Sequence, residues 1–561
     1  MEHTMRQWVR STGIRACLTA LALLLAVPAF AQLPAYTISI SDTTGDVAAL
    51  LRDGEQLERQ QRWGEALAHF EDAVRKFPND AVLRQHFETT RLHYDLERRY
   101  SDRSFCASVL RMSADRALEL YSQVLVKIES HYVESLRWND LIDRGTRNME
   151  LAFGERTFLE RNVPINDRPA VDAYRAEVRN YIASQKINSR EDARKVVGYI
   201  SRLALERLEV APSAIVLEYL CGATNSLDPY STYLTPDQLN EVYSQIEGNF
   251  VGLGVELKAQ NGVLVIVRVI SGSPAEEAGI QPKDSILMID RQATKDLTTD
   301  QAANLLQGAE GSVVALTLAA PNQSPRQITV RRRRVEVPSV DQVAIIDQQY
   351  GVGYFRLTCF QKTTAHDLDA ALWKLHREGM KSLVIDVRGN PGGLLVSSVE
   401  VVDRFVDHGV IVSTHGRSPQ EDYTYSAHEQ AKWRIPLVVI IDQDSASAAE
   451  IFAGAIRDHR RGTIVGVRSF GKGSVQGIFP LDESNAGVRL TTAKFYSPNG
   501  HPYSQVGVEP DIRVQQQQRH VVAKPIDGKA PVAQDNTDAM LSTAVQTARS
   551  LIQPLQARNV Q

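Results

Sequence analysis

"PLVVIIDQDSASAAEIFAGAIRD", residues 436–458, decides how the rest of this 561-residue chain reads. Leu437–Ile441 is an unbroken apolar run of strand length, and Ile451, Phe452, Ala455 and Ile456 recur at helical spacing. A turn of serine and alanine joins them, which predicts strand, tight turn, helix. The pattern repeats on the N-terminal side. "GVGYFRL" and "KSLVIDVRGNPGG" read as strands with the helix "HDLDAALWKLHREGM" between them, and "VSSVEVVDRFVD" reads as a further helix. Residues 350–515 therefore predict an α/β core with helices packed on a sheet.

The turn itself raises a chemical question. A hydroxyl at a helix N-terminus gains from unpaired amides and the positive end of the dipole, so Ser445 and Ser447 are both candidate nucleophiles. Serine is also a common helix cap, and either could be that alone. No G-x-S-x-G elbow occurs, and His459 lies too far along the same helix to reach Ser447. The next candidate for a proton acceptor is Lys472, flanked by glycines in "RGTIVGVRSFGKGSVQG". An exposed lysine titrates near ~10.4 and is useless as a base, whereas a buried one falls toward ~7–8.

Outside the core the chain is long enough for several domains. Its 43% hydrophobic and 23% charged content is that of a globular protein, and a net charge of −4 carries no signature of a nucleic-acid partner. The run Arg331–Arg334 reads as a strand with a solvated face. Residues 1–31 carry three arginines, a short apolar run and an A-x-A site. That predicts a signal peptide cleaved after Ala31, export, and most readily a periplasmic location. Three cysteines remain after it, with no spacing that suggests zinc or a disulfide framework. No metal or other cofactor is expected.

Residues 32–105 read as helical. Gly54, Leu57, Ala66, Phe70, Ala73 and Pro78 stand where a tetratricopeptide repeat has its packing residues, though only one repeat is legible and stable arrays need about three. Residues 106–246 continue as amphipathic helices, with 155–212 reading as an elaborated connection. Thr235-Pro236 has N-cap and N1 character. From 247 to 335 the texture changes to short strands with two helical pieces. "VGLGV" with "SGSPAEEAGI" and "DSILMID" resembles a PDZ domain, which implies that Val251, Gly252, Leu253 and Gly254 form a loop holding a peptide carboxylate. Lys283 departs from that pattern by replacing a turn glycine. Residues 516–561 read as a disordered tail ending in a short helix that docks or dimerises.

The core then becomes specific. "LDPYSTYL", "RGNPGG", "SASAAEIFAGAIRD", "FGKGSVQ" and "YSPNGHPYSQVGVEPDI" resemble the carboxyl-terminal processing, or tail-specific, proteases over about residues 110–515. The resemblance implies a serine–lysine endopeptidase with a ClpP/crotonase-like α/β core spanning 336–515. Ser447 would be its nucleophile, Lys472 the base and Gln476 the residue orienting the base. It also implies an oxyanion hole of the Ala448 and Gly393 amides, with Asp458 a candidate supporting acid. Ser445 becomes a turn residue. Ala449 and Asp442 depart from the family's serine and asparagine without removing a named catalytic group. The partners implied are proteins with exposed C-terminal tails, with an adaptor or a second copy at the helical region. The competing reading is a PDZ and helical-repeat scaffold with a decayed core, yet serine, lysine and glutamine all stand at the expected spacing.

Overall fold

The computed structural model describes residues 22–23, 46–514 and 538–558, apart from short breaks at 165–167, 261–262, 296, 298, 322, 429–431 and 482–483. The proposed cleavage site after Ala31 lies outside them. Among the described residues no helix is long and apolar enough to cross a membrane, and no cluster of side chains could hold a metal ion.

The core contains a six-stranded sheet in the order Val340–Asp347, Val352–Leu357, Ser382–Asp386, Leu437–Ile441, Thr463–Gly466, Ile512–Arg513. Its first pair is antiparallel and the rest are parallel. Strands buried on both faces must be apolar throughout, and alternate residues show why. Phe355, Leu383, Ile385, Val439 and Ile441 face the helices Thr364–Arg377, Leu395–Asp403 and Ala448–Asp458. Tyr354, Val384, Val438 and Ile440 face Met540, Ala544 and Ala548 of the terminal helix Ala539–Arg558. That helix is 20 residues long and packs on this chain's own sheet, so its apolar stripe is already covered.

A second sheet carries Ser474–Pro480, Gly487–Tyr496, Val410–Gly416 and Tyr423–Ser426, with Thr232–Leu234 beside Gly487–Tyr496. Among the described residues its outer edge at Ser474–Pro480 pairs with the two-residue segment Ala22–Leu23, antiparallel, Leu23 opposite Gln476. The helical region packs against the same sheet, because Phe479, Val488 and Leu490 belong to one core with Tyr121, Tyr174 and Tyr219. Residues 155–212 are not a loose connection. They form the helices Arg156–Asn162, Arg168–Ser184 and Arg190–Leu208, whose Tyr174, Val178, Val197 and Ile200 lie inside that core.

The first two helices, Asp46–Arg59 and Trp63–Lys76, make a hairpin whose Leu50, Phe70 and Ala73 form a small apolar cluster with Leu83 of the third helix, Ala81–Ser101. Gly54 is required there, since a β-carbon on it would stand 2.2 Å from Phe70 Cζ.

The strand-rich insert has five principal strands, ordered Val255–Gln260, Val263–Val269, Ser285–Ile289, Val313–Ala319, Arg326–Arg331, so Val255–Gln260 is an edge. A single antiparallel ribbon, Asn249–Gly252 against Arg333–Glu336, joins it to the core. Lys283 keeps the turn that a glycine would make, at φ 78°, a left-handed conformation that costs an L-residue roughly 1–2 kcal/mol. The arginine run is not uniformly solvated. Arg331, Arg333 and Arg334 are exposed, but Arg332 turns inward and donates to the carbonyls of Leu305 and Leu306, closing the end of the helix Thr299–Leu306.

Candidate active site

The strand Leu437–Ile441 delivers the chain to Asp442, whose carboxylate organises the turn. It accepts from the Gly389 and Asp444 amides and from Ser445 Oγ. Ser445 Oγ also donates to the Val387 carbonyl at 2.8 Å. Ser447 differs. It is fully buried and sits at φ 60° and ψ −118°, and its Oγ has no hydrogen-bond partner. A buried hydroxyl left unpaired costs about 1–3 kcal/mol, and backbone strain of this kind roughly as much. Such costs collect at sites built for chemistry. The two serines, which local pattern alone left equivalent and the family resemblance told apart, are thus physically unlike.

Glu450 is the residue that sequence reasoning missed. Its Oε2 accepts the Ser447 N–H at 2.7 Å and the Lys472 N–H at 2.8 Å, so both backbones hang from one oxygen. Its Oε1 accepts the Gly471 N–H and Ser469 Oγ, both at 2.6 Å. Burial pushes this carboxyl up to about 7, against the pull of those four bonds. The Ser-x-x-Glu spacing of a capping box was its available signal. Only half of that box forms, since the Ser447 hydroxyl stays unbonded. Glu450→Gln replaces an acceptor by a donor facing N–H groups. We expect kcat/KM to fall about 10²-fold in a peptide-cleavage assay, because the two loops lose their common anchor.

Lys472 is 3% exposed. Burial pulls its amine down to about 7, Arg489 pushes the same way, and the Glu450 and Asp228 carboxylates oppose both. Nζ lies 4.8 Å from the Tyr230 ring centroid. The "LDPYST" stretch explains that seat. Asp228 accepts the amides of Tyr230 and Ser231 and the hydroxyls of Ser231 and Thr491, pinning the loop to the second sheet. Arg489 Nε donates to the Tyr230 carbonyl. Gln476 is fully buried just past a bulge between Val475 and itself. Its amide nitrogen donates to Ser474, while Oε1 has no partner.

Gly392 and Gly393 pack against the serine turn. A β-carbon on Gly392 would lie 2.6 Å from Ser447 Cβ and 2.9 Å from Ala448 N. The Gly392 N–H is taken by Asn390 Oδ1. The bridge to Phe360 uses the Gly392 carbonyl and the Leu394 N–H, leaving the Gly393 N–H out of both. Ala448 N is the first helical amide and has no intrahelical acceptor.

Asp458 is not brought to this site. It ends the helix that Ala448 begins, about 15 Å along the axis, and accepts from Ser497 Oγ and the Asn499 N–H. His459, beside it, bonds the Val410 carbonyl. In the insert, Val251 and Gly252 lie in the joining ribbon while Leu253 and Gly254 lead into the edge strand. A β-carbon on Gly254 would meet Ser273 Cβ at 2.3 Å, so the loop is closed tightly on the following helix. Cys106, Cys221 and Cys359 are unbridged.

Comparison with known proteins agrees with this architecture. The pattern of Peptidase family S41 matches residues 351–514, and that of a PDZ domain matches 265–319. The carboxy-terminal-processing protease of Bartonella bacilliformis is 38% identical over 301 residues, 53% of this chain and 68% of that protein. The carboxyl-terminal-processing protease of Synechocystis is 35% identical over 294 residues, 52% and 68% of the two chains. A solved photosystem II D1 C-terminal processing protease is similar at 25% identity over 71% of this chain and 92% of that one, with a TM-score of 0.37. With its S41 core and inserted PDZ domain, this chain belongs to the carboxyl-terminal-processing proteases and is a serine-type peptidase.

Proposed function

We propose that Ser447 is the nucleophile, Lys472 its general base, Gln476 the group that orients the base, and the Ala448 and Gly393 amides the oxyanion hole. One observation carries this reading: of the two buried serines in this turn, only Ser447 has an unengaged hydroxyl. In the reaction, neutral Lys472 leaves the Tyr230 face and takes the Oγ proton as the oxygen attacks a peptide carbonyl. A carbon–oxygen bond forms and the oxyanion is met by the two amides. Collapse breaks the carbon–nitrogen bond, and the Lys472 ammonium returns its proton to the leaving amine. Water, activated by the same amine, then cleaves the acyl-enzyme. Gln476 Oε1 is an acceptor suited to hold the ammonium while it waits.

Substrate selection follows from strand edges. The edge Val255–Gln260 and the loop Val251–Gly254 suit a free C-terminal carboxylate with its preceding residues added as a strand. The edge at Ser474–Pro480 pairs with Ala22–Leu23, which cleavage after Ala31 would remove, and that edge suits the scissile region. The finer features belong to the same reading. They are a ClpP/crotonase-like core, a tetratricopeptide-like hairpin offering its own surface to an adaptor or a second copy, and export on the signal pattern of residues 1–31.

The test has two arms. A fluorophosphonate probe is expected to leave its adduct on Ser447, read by peptide mapping; an adduct on Ser445 overturns the assignment. A loosely folded substrate with a free C-terminal carboxylate is expected to be cleaved roughly tenfold faster than its C-terminal amide. Equal rates would remove the carboxylate loop from the reading.

A further inference from the structure

One side chain of the hairpin touches both loops of the candidate site. Arg75, near the end of the helix Trp63–Lys76, donates from Nη1 to Asp444 Oδ1 at 3.0 Å. Its guanidinium also lies over the Phe470 ring, 5.0 Å from the centroid. Asp444 is three residues before Ser447 and Phe470 two before Lys472, so a single group touches both loops. The loops are already adjacent, since the Phe470 N–H donates to the Ser445 carbonyl at 3.0 Å. Glu71 steadies Arg75 from one helical turn back, at 3.4 Å. Burial pushes its carboxyl up, and the Asp444 charge adds to that push.

We propose that Arg75 is a positioning residue for the peptidase reaction, holding the Ser447 turn and the Lys472 loop in register from the N-terminal hairpin. The inference rests on the reading of Ser447 and Lys472 as the reacting pair. Its logic is one of magnitudes. Arg75 and Asp444 are 34% and 50% exposed, and a pair so exposed contributes at most about 1 kcal/mol to stability. Neither core needs it. The hairpin packs with Leu83 of the following helix in one apolar cluster, and the protease helices have theirs. A weak contact that adds nothing to either core, yet joins both reacting loops across 369 residues of sequence, matters for alignment. Misplacement of a reacting group by about 1 Å costs on the order of 10²-fold, far more than the fold loses with the bond. The hairpin thus acts on rate, and anything that rotates it acts on rate too.

The experiment compares steady-state cleavage, fluorophosphonate labelling of Ser447 and thermal midpoint in full-length variants. Arg75→Ala is expected to lower kcat and labelling roughly tenfold with KM and midpoint unchanged. Arg75→Lys keeps the charge but not the planar stack, and should fall between it and the unaltered chain. Arg75→Asp should be slowest, and Arg75→Asp with Asp444→Arg should recover most of the loss. Arg59→Ala, on the same hairpin and paired only with Glu55, should leave activity intact. Unchanged kcat and labelling in Arg75→Ala overturns the inference. So does a midpoint that falls in step with activity, which would mark a purely structural contact, or an exchanged pair no better than Arg75→Asp alone. Ser447→Ala is run beside them. If it still turns over, the reading of the site has failed; if it is dead while Arg75→Ala is normal, only the positioning role has.

Discussion

Ser447→Ala leaves less than about one part in 10⁴ of the turnover on an unfolded, tail-bearing substrate, and Ser445→Ala leaves most of it. The two substitutions remove the same atom from neighbouring buried sites, so the contrast tests geometry rather than composition. Ser447 Oγ has no bond to lose, and its removal relieves an unpaired hydroxyl, so the thermal midpoint should hold or rise. Ser445 Oγ bonds the Val387 carbonyl and the Asp442 carboxylate, and accepts the Asp442 N–H. Losing it should cost about 1–3 kcal/mol of stability with little change in kcat. Activity and midpoint measured together separate the outcomes. If Ser445→Ala is inactive at a temperature where it is folded, the nucleophile has been misassigned.

Lys472→Arg is expected to lose at least about 10³-fold, because a guanidinium keeps its proton at any pH where the protein is folded. A long cationic stem is kept while the ability to lose the proton is removed, so the loss isolates the neutral state as the property required. The same argument fixes the sign of the pH profile. An amine drawn down to about 7 by burial is protonated and inert below that value, and it becomes an acceptor as pH rises through it. The log of kcat/KM should therefore climb with pH and level off above about 7, rather than near the ~10.4 of an exposed lysine. A profile flat between pH 5 and 8 would remove Lys472 from the role of base. Arg489→Gln removes the cation that helps depress the amine, and should shift the limb to higher pH.

Much of this is legible in the amino-acid sequence. The strand Leu437–Ile441 and the helix Ala448–Asp458 fall where period and apolar runs put them, and the cap expected at Thr235 is there, with Gln238 as a reciprocal partner that was not expected. Local signals carry local structure. What the sequence concealed is held by distant contacts. The helices between 155 and 212 looked like a connection because their outer faces are polar, and their inner faces count as core only once Tyr174 and Val197 meet Tyr121 and Tyr219. Arg332 read as one of four solvated cations because nothing nearby reveals the open helix end it closes. Glu450 hid inside an alanine-rich helix start, and its four donors come from two loops. Lys283 shows the reverse case. The lost glycine warned of a changed turn, yet the backbone keeps the left-handed conformation at Lys283 and carries its strain.

The ribbon Asn249–Gly252 with Arg333–Glu336 has one more consequence. Because the PDZ segment enters and leaves through neighbouring strands, its two attachment points travel together, and beside them the core sheet meets it at the Arg268–Asp341 ion pair. Such a segment is a cassette. Evolution or an engineer can exchange it for one with a different appetite for chain ends, cutting at two facing positions, while the machinery that breaks the bond keeps its sequence.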